Sequence, residues 1–452
     1  MKKKFRLWFN IVTICLCVCA IMVGVYAATN ATLTINGQIG FQAHGCDVDA
    51  SGYMYGYAVK DGQGNETGFV EKPTTTAQKE ALALSTTNEK NSTPKVAEVR
   101  GSDVEGLTLG EQNFTDVNSN ADGKPTDIVV VLTIKNQSLF DIYGVVSATS
   151  KDPNIGIKKS VGLFNLDKKV GETPDFIDIT ITLSVIPQAN GSYDKITSTP
   201  DNVTISIDFN KGKVEDNLLK KDTTNNYYYV EMGTEDGTSN GTPLRWYAFA
   251  KDGATHSKST ALTTGSYYFI SEKALLVDTE YNGKPWGPYP HSGKEDDNYS
   301  LDYGTSLINP LTNGQAEGSV YYTYGIAGSP IYNAITNRDL AGETYTKPNS
   351  TQGTTHDTYN QTLWLLARGD ELKWLNGGTA VSDYTPTASL VASPVGGATS
   401  DYAYWWLRSP DGANSSGYAD AWCVYDNGNV YGIDVYYTIP GVRPAFQINI
   451  AV

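Results

Sequence analysis

His44, His256, His291 and His356 are the first residues to weigh for catalysis or metal binding, because imidazole titrates near neutrality and is a common metal ligand. They are far apart in the chain, lie in polar stretches and form no pair at metal-ligand spacing, so solvated loop positions are expected for them. Gly237-Thr238-Ser239-Asn240-Gly241 has the letters of a nucleophile elbow, but no helical pattern follows it, and a hairpin turn before the strand at Leu244 is expected. Arg368-Gly369-Asp370 spells a tripeptide that some adhesion receptors read, yet Asp370 opens a helix candidate reaching Asn376 and can cap it. Glu295, Asp296, Asp297 and Asp302 form the densest acidic cluster; nothing there matches a helix-loop-helix calcium site, and a structural calcium is left open. No constellation points to an enzyme, and no cofactor is expected.

Binding chemistry is concentrated elsewhere. Residues 413 to 440 hold five Tyr, three Asn and three Asp but no Lys, Arg, Glu, Gln or Met. Tyr, Ser, Asn and Gly are the residues of antibody combining loops: a stiff amphipathic ring gives contact area at low entropy cost, and short polar groups adapt their hydrogen bonds. The same composition also suits turns between short strands, and Tyr227 to Tyr229 shows that the neighbouring sequence favours Tyr too.

This stretch lies between Trp405-Trp406-Leu407-Arg408-Ser409-Pro410 and Gly441-Val442-Arg443-Pro444-Ala445-Phe446. The two motifs resemble the end of the C-type-lectin-like domains related to formylglycine-generating enzymes, a group that includes the variable proteins of diversity-generating retroelements. The resemblance extends upstream through Phe269 to Leu276 and Leu365 to Leu372. It implies an α+β C-type-lectin-like domain with long loops, in which Trp405, Trp406, Arg408, Trp422, Gly441 and Arg443 hold the fold. It also implies that adenine-directed rewriting of Asn-type codons yields residues such as Asn, Asp, Tyr, Ser, Thr, Ile and Gly. Asn414, Ser415, Ser416, Tyr418, Asp420, Tyr425, Asn427, Asn429, Tyr431, Ile433, Asp434, Tyr436, Tyr437 and Thr438 belong to that set and are the expected ligand contacts. The related oxidases need a pair of active-site cysteines, and this region has only Cys423, so their activity is not carried over. The short Pro- and Trp-containing strings by which many calcium-dependent lectins hold sugar are missing as well.

The elements that must position these residues are mostly strands. Leu33, Ile35, Ile39 and Phe41 alternate with polar residues, and similar runs recur at Asp127 to Lys135, Phe140 to Ala148, Ile177 to Val185 and Val203 to Phe209. An all-β sandwich is therefore expected over residues 29–212, with Lys72 to Asp122 as a polar surface insertion containing a short helix at Ala77 to Leu84. Its opening, Ala31 to Gly37, resembles that of surface and fibre-associated sandwich proteins of Gram-positive bacteria. Residues 213–226 read as a charged linker, and 227–452 as the ligand-binding domain, with strands at Tyr227 to Val230, Leu244 to Ala250 and Tyr267 to Val277.

Lys2, Lys3, Lys4 and Arg6 precede an apolar stretch from Leu7 to Ala28, the pattern of an export signal at 1–28 that is cleaved or left as an anchor. A secreted or cell-surface protein follows, touching a membrane only through an uncleaved N-terminal segment. Beyond that segment only Cys46 and Cys423 remain, which predicts isolated thiols rather than a disulfide framework. The net charge of −15 repels phosphate backbones, so no nucleic-acid partner is expected. The expected partner is an external protein or glycan. The alternative is a structural or adhesive surface or matrix component whose C-terminal loops are not diversified.

Overall fold

The computed structural model describes residues 33–87, 96–101, 106–114, 124–187, 193, 202–256, 261–276, 280–281, 284–285, 318–346, 352–355, 357–395, 403–413, 419–434 and 440–452. The expected export segment 1–28 lies outside them. No helix among the described residues is long and apolar enough to cross a membrane. The protein is β-rich, with several sheets and a few short helices.

Alternation of side chains sets the strands. In Ile128–Asn136 the residues Ile128, Val130, Leu132 and Ile134 are fully buried while their neighbours are half-buried or exposed. This strand is the centre of a five-stranded sheet that runs Ile155–Lys159, Asp175–Val185, Ile128–Asn136, Cys46–Tyr55, Val96–Gly101. A twelve-stranded sheet starts at Ser85–Thr86 and proceeds through Gly106–Thr108, Gly37–Gln42, Val203–Lys211, Ile142–Ser150 and Leu163–Leu166. Side chains of both sheets, among them Phe41, Val48, Leu132, Ile179 and Ile205, form one hydrophobic core.

The long sheet does not stop there. Leu163–Leu166 pairs in parallel with Ala445–Ala451, matching Leu163 with Ile450 and Phe164 with Ala451. The sheet then continues through Gly265–Ser271, Pro243–Lys251, Tyr227–Thr234 and Leu219–Asp222, and the short Ala254–Thr255 pairs beside Pro243–Lys251 as its twelfth strand. A second core collects Trp246, Phe269, Trp364, Trp405, Trp406 and Phe446, and it also takes in Tyr143, Val145 and Leu163 from the first half of the chain.

Two expectations need correction here. Residues 213–226 are not an open linker: Val214–Asn217 is a short helix with Val214 buried, and Leu219–Asp222 is an edge strand paired with Tyr227–Val230. Of the charged residues that suggested a linker, Lys220 and Lys221 stand exposed on that edge strand, while Glu215 and Asp216 lie on the helix. Nor is Lys72 to Asp122 only a surface insertion. Its helix Thr76–Ala81, closed by a capping box between Thr75 and Gln78, buries nothing. Val96–Gly101 and Gly106–Thr108, however, are strands of the two sheets, with Ala97, Val99 and Leu107 fully buried.

Candidate functional site

The frame of the C-terminal region is a four-stranded sheet ordered Val430–Asp434, Ala419–Val424, Trp405–Ala413, Gly441–Val442. Trp405, Trp406 and Leu407 are completely buried, and Trp405 Nε1 donates to Leu390 O at 3.1 Å. Gly441 is buried, opposes Trp405 in the parallel pair, and its N–H donates to Tyr404 O at 2.9 Å. Trp422 is buried against the second core.

Arg443 is 2% exposed, and its partners are carbonyls and rings. Its guanidinium donates to Ser271 O at 2.9 Å and to the Tyr247 hydroxyl at 2.8 Å, and it lies over the ring of Trp405 at 5.3 Å. A planar five-donor fork suits such a position, and an ammonium would not. Arg408 serves a different network: it donates to Glu343 Oε1 at 2.8 Å and approaches Glu371, which also binds Arg338 at 2.5 Å and accepts from the Ala367 N–H. Burial pushes the Glu343 carboxyl up, against the lowering effect of Arg408.

On this frame stands a row of tyrosines. Ring centroids are 4.6 Å apart for Tyr404 and Tyr425, 4.8 Å for Tyr425 and Tyr431, and 4.5 Å for Tyr431 and Tyr384. Tyr404, Tyr425 and Tyr431 are half-buried, whereas Tyr384 is 62% exposed. The turn that joins Ala419–Val424 to Val430–Asp434 leaves Asn427 exposed. There Asn427 Oδ1 accepts from the Asn429 N–H, Gly428 N–H donates to Tyr425 O, and Gly428 takes φ +80°. Next to the row, Arg368 stacks on Trp422 at 3.8 Å and grips Asp383 with two bonds, 2.5 and 3.2 Å. Burial pushes the nearby Asp411 carboxyl up; Arg368 opposes that shift and Asp383 adds to it.

Among the expected contacts, Tyr425, Asn427, Tyr431 and Ile433 are accessible in whole or in part, with Tyr425 and Ile433 also packed on the core. Asp420 and Asn429 depart from expectation: they are 9% and 8% exposed and belong to the interior of the hairpin. They sit on the inner side of a strand and under a turn, positions that composition alone does not distinguish. Asp434 lies in a strand whose side-chain surroundings are not described at that position, and Asn414, Ser415, Ser416, Tyr418, Tyr436, Tyr437 and Thr438 lie outside the described residues. Tyr384, Arg368 and Asp383 reach the face from segments before residues 413–440, and Tyr404 stands directly before Trp405, so the composition of 413–440 does not reveal them.

The remaining candidates resolve as follows. His256 is not solvated: it is 7% exposed and stands edge-on to Tyr267 at 5.3 Å, and burial lowers its pKa, followed by Lys251. His44 is exposed, and His291 and His356 lie outside the described residues, as does the acidic cluster at Glu295 to Asp302. Cys46 and Cys423 are buried free thiols. Gly237 to Gly241 connects the antiparallel strands Tyr227–Thr234 and Pro243–Lys251. The helix Asp370–Leu375 has Gly369 at its cap, with Asp370 in the first turn rather than capping. Among the described residues no group of three His, Cys, Asp or Glu side chains is placed to hold a metal ion.

Residues 329–450 match a family model described as a domain of unknown function, DUF6273, a segment that contains both tryptophan and arginine motifs and the tyrosine row. No curated protein and no solved structure matches the chain.

Proposed function

We propose that the protein is exported and binds an external protein or glycan through the tyrosine-bearing face of a C-type-lectin-like domain, residues 227–452, with a sandwich at 29–212 acting as its support. In this reading the face is the segment that a diversity-generating retroelement rewrites, and no catalysis takes place. The observation that carries the proposal is the contrast on and around one small sheet. Trp405, Trp406, Leu407 and Arg443 are sealed in the core, while Tyr384, Tyr404, Tyr425 and Tyr431 form a continuous, partly exposed aromatic row beside the solvated Asn427. Binding energy at interfaces concentrates in rings of this kind, surrounded by adaptable polar groups.

The test compares the exported chain, residues 29–452, with a Tyr384→Ala, Tyr425→Ala, Tyr431→Ala variant on protein and glycan arrays. The proposal expects at least one ligand retained by the first and lost by the second at similar thermal stability; identical array profiles would contradict it. Diversification is tested separately, by looking beside the gene for an imperfect copy of the segment encoding Trp405 to Pro444 that differs at adenines and adjoins a reverse transcriptase gene.

A structural or adhesive surface component without diversification is the second reading. The burial of Asp420 and Asn429 favours it, because an ordinary hairpin interior needs no ligand. Absence of both the ligand and the adenine-altered copy would support that reading.

A further inference from the structure

A cleft of about 180 Å³ opens where the first half of the chain meets the second, well apart in sequence from the tyrosine row. One wall is the end of Ile142–Ser150 with the edge strand Ile155–Lys159; the other is built from Tyr332, Asn337 and Thr362. Lys159 lines the cleft and is 5% exposed. Its Nζ donates to Val146 O at 2.7 Å and across the junction to Asn333 O at 2.6 Å. Its neighbour Lys158 pairs with Asp339 on the surface at 2.5 Å, but among the described residues no carboxylate pairs with Lys159.

An ammonium carries three hydrogens, and here the backbone takes two. A buried cation without a counter-charge is expensive, and neutral carbonyls offset only part of that cost. Other titratable groups on the cleft do not supply the charge. Asp152 stands beyond the opposite end of Ile155–Lys159 with its Oδ1 occupied by the Asn154 backbone and amide, and the Tyr332 hydroxyl is paired with Tyr321. Asn449, from the closing strand, contributes an amide to Lys159 O, not a charge. Ser147 and Thr149 also line the cleft, whereas the Thr362 hydroxyl already donates to Asn337 Oδ1 at 3.2 Å. A volume of this size holds about six waters, the bulk of a three- or four-carbon hydroxy acid.

We propose that this cleft binds a small hydroxylated carboxylate, whose charged group accepts the third Lys159 hydrogen while its hydroxyls meet Ser147 and Thr149. Because both walls contribute, the ligand also ties the two halves of the chain together. Burial lowers Lys159 to about 7, so the free protein holds the amine largely neutral above that pH, and binding must take up a proton there.

Isothermal titration of the exported chain with D-glycerate, using glycerol as the uncharged comparator, tests this. Glycerate should bind and glycerol should not. Affinity should fall about 30-fold from pH 6 to pH 8.5, and the heat at pH 8.5 should vary with the buffer's ionisation enthalpy. Lys159→Met, which keeps the apolar stem, should lose both the binding and its pH slope. If circular dichroism shows that variant unfolded, Thr149→Val should instead weaken glycerate several-fold and leave the slope unchanged. Absence of glycerate binding at pH 6, equal binding of glycerol, or a pH slope that persists in Lys159→Met would each overturn the proposal and leave Lys159 as a bridge between backbone carbonyls.

Discussion

Arg443 and Lys159 are both buried cations with carbonyl partners, and their chemistry separates them. The guanidinium of Arg443 spreads its donors over several acceptors and two rings, so its loss removes the bonds to Ser271 O and to the half-buried Tyr247 hydroxyl together. Arg443→Ala is expected to destabilise the protein by about 3–5 kcal/mol in urea unfolding, the range for stripping a buried polar cluster of its centre. Lys159 can instead give up its proton. Its folded pKa of about 7 lies below the 10.5 of a free lysine, so between pH 7 and 10 the unfolded chain binds the extra proton and stability rises with pH. Relative to Lys159→Met, the wild type should gain about 2 kcal/mol from pH 7 to pH 9 in urea titrations; a flat difference would mean the amine is solvated. Arg443 was legible because it lies in a recognisable motif beside Gly441 and Pro444. Lys159 was not, because its burial arises only when Asn333, 174 positions away, closes over it.

At the scale of elements, alternation made the long strands readable: Ile128–Asn136 and Asp175–Val185 fall within a few residues of their expected spans. What alternation could not give was the status of short pieces. Val96–Gly101 carries Glu98 and Arg100 outward and only Ala97 and Val99 fully inward, too little apolar signal to separate a core strand from a polar excursion. The turn at Asn427–Gly428 is packed against a distant segment, which the turn-compatible composition of 413–440 does not reveal. A Cβ on Gly428 would stand 2.1 Å from Thr387 O, and the residue is already at φ +80°. Gly428→Ala should therefore cost at least about 1–2 kcal/mol and shift the Tyr425 and Tyr431 resonances, whereas Asn427→Ser at the exposed neighbour should change stability by less than about 0.5 kcal/mol. Equal effects at the two positions would mean that the turn is not held against residue 387.

Over the whole molecule, the continuity of the long sheet is the feature the sequence concealed, since a parallel pairing between Leu163–Leu166 and Ala445–Ala451 has no local signature. Gly162 sits at that seam, its N–H on Asn449 O and a virtual Cβ 2.0 Å from Ala334 O. Gly162→Val should lower the melting midpoint by several degrees and weaken hydrogen-exchange protection in both paired strands together; loss confined to one strand would show that the halves are stabilised independently. The tyrosine row itself stands on the separate four-stranded sheet, whose strand Gly441–Val442 is followed in the chain by Ala445–Ala451 of that seam. The most direct measurement of that division between fixed frame and replaceable face is a display library in which each residue from 403 to 446 is varied singly and folded molecules are selected by protease resistance. Broad tolerance at Tyr425, Asn427, Tyr431 and Ile433, with near-complete intolerance at Trp405, Trp406, Trp422 and Arg443, is the result expected; intolerance of equal severity at both sets would contradict the account.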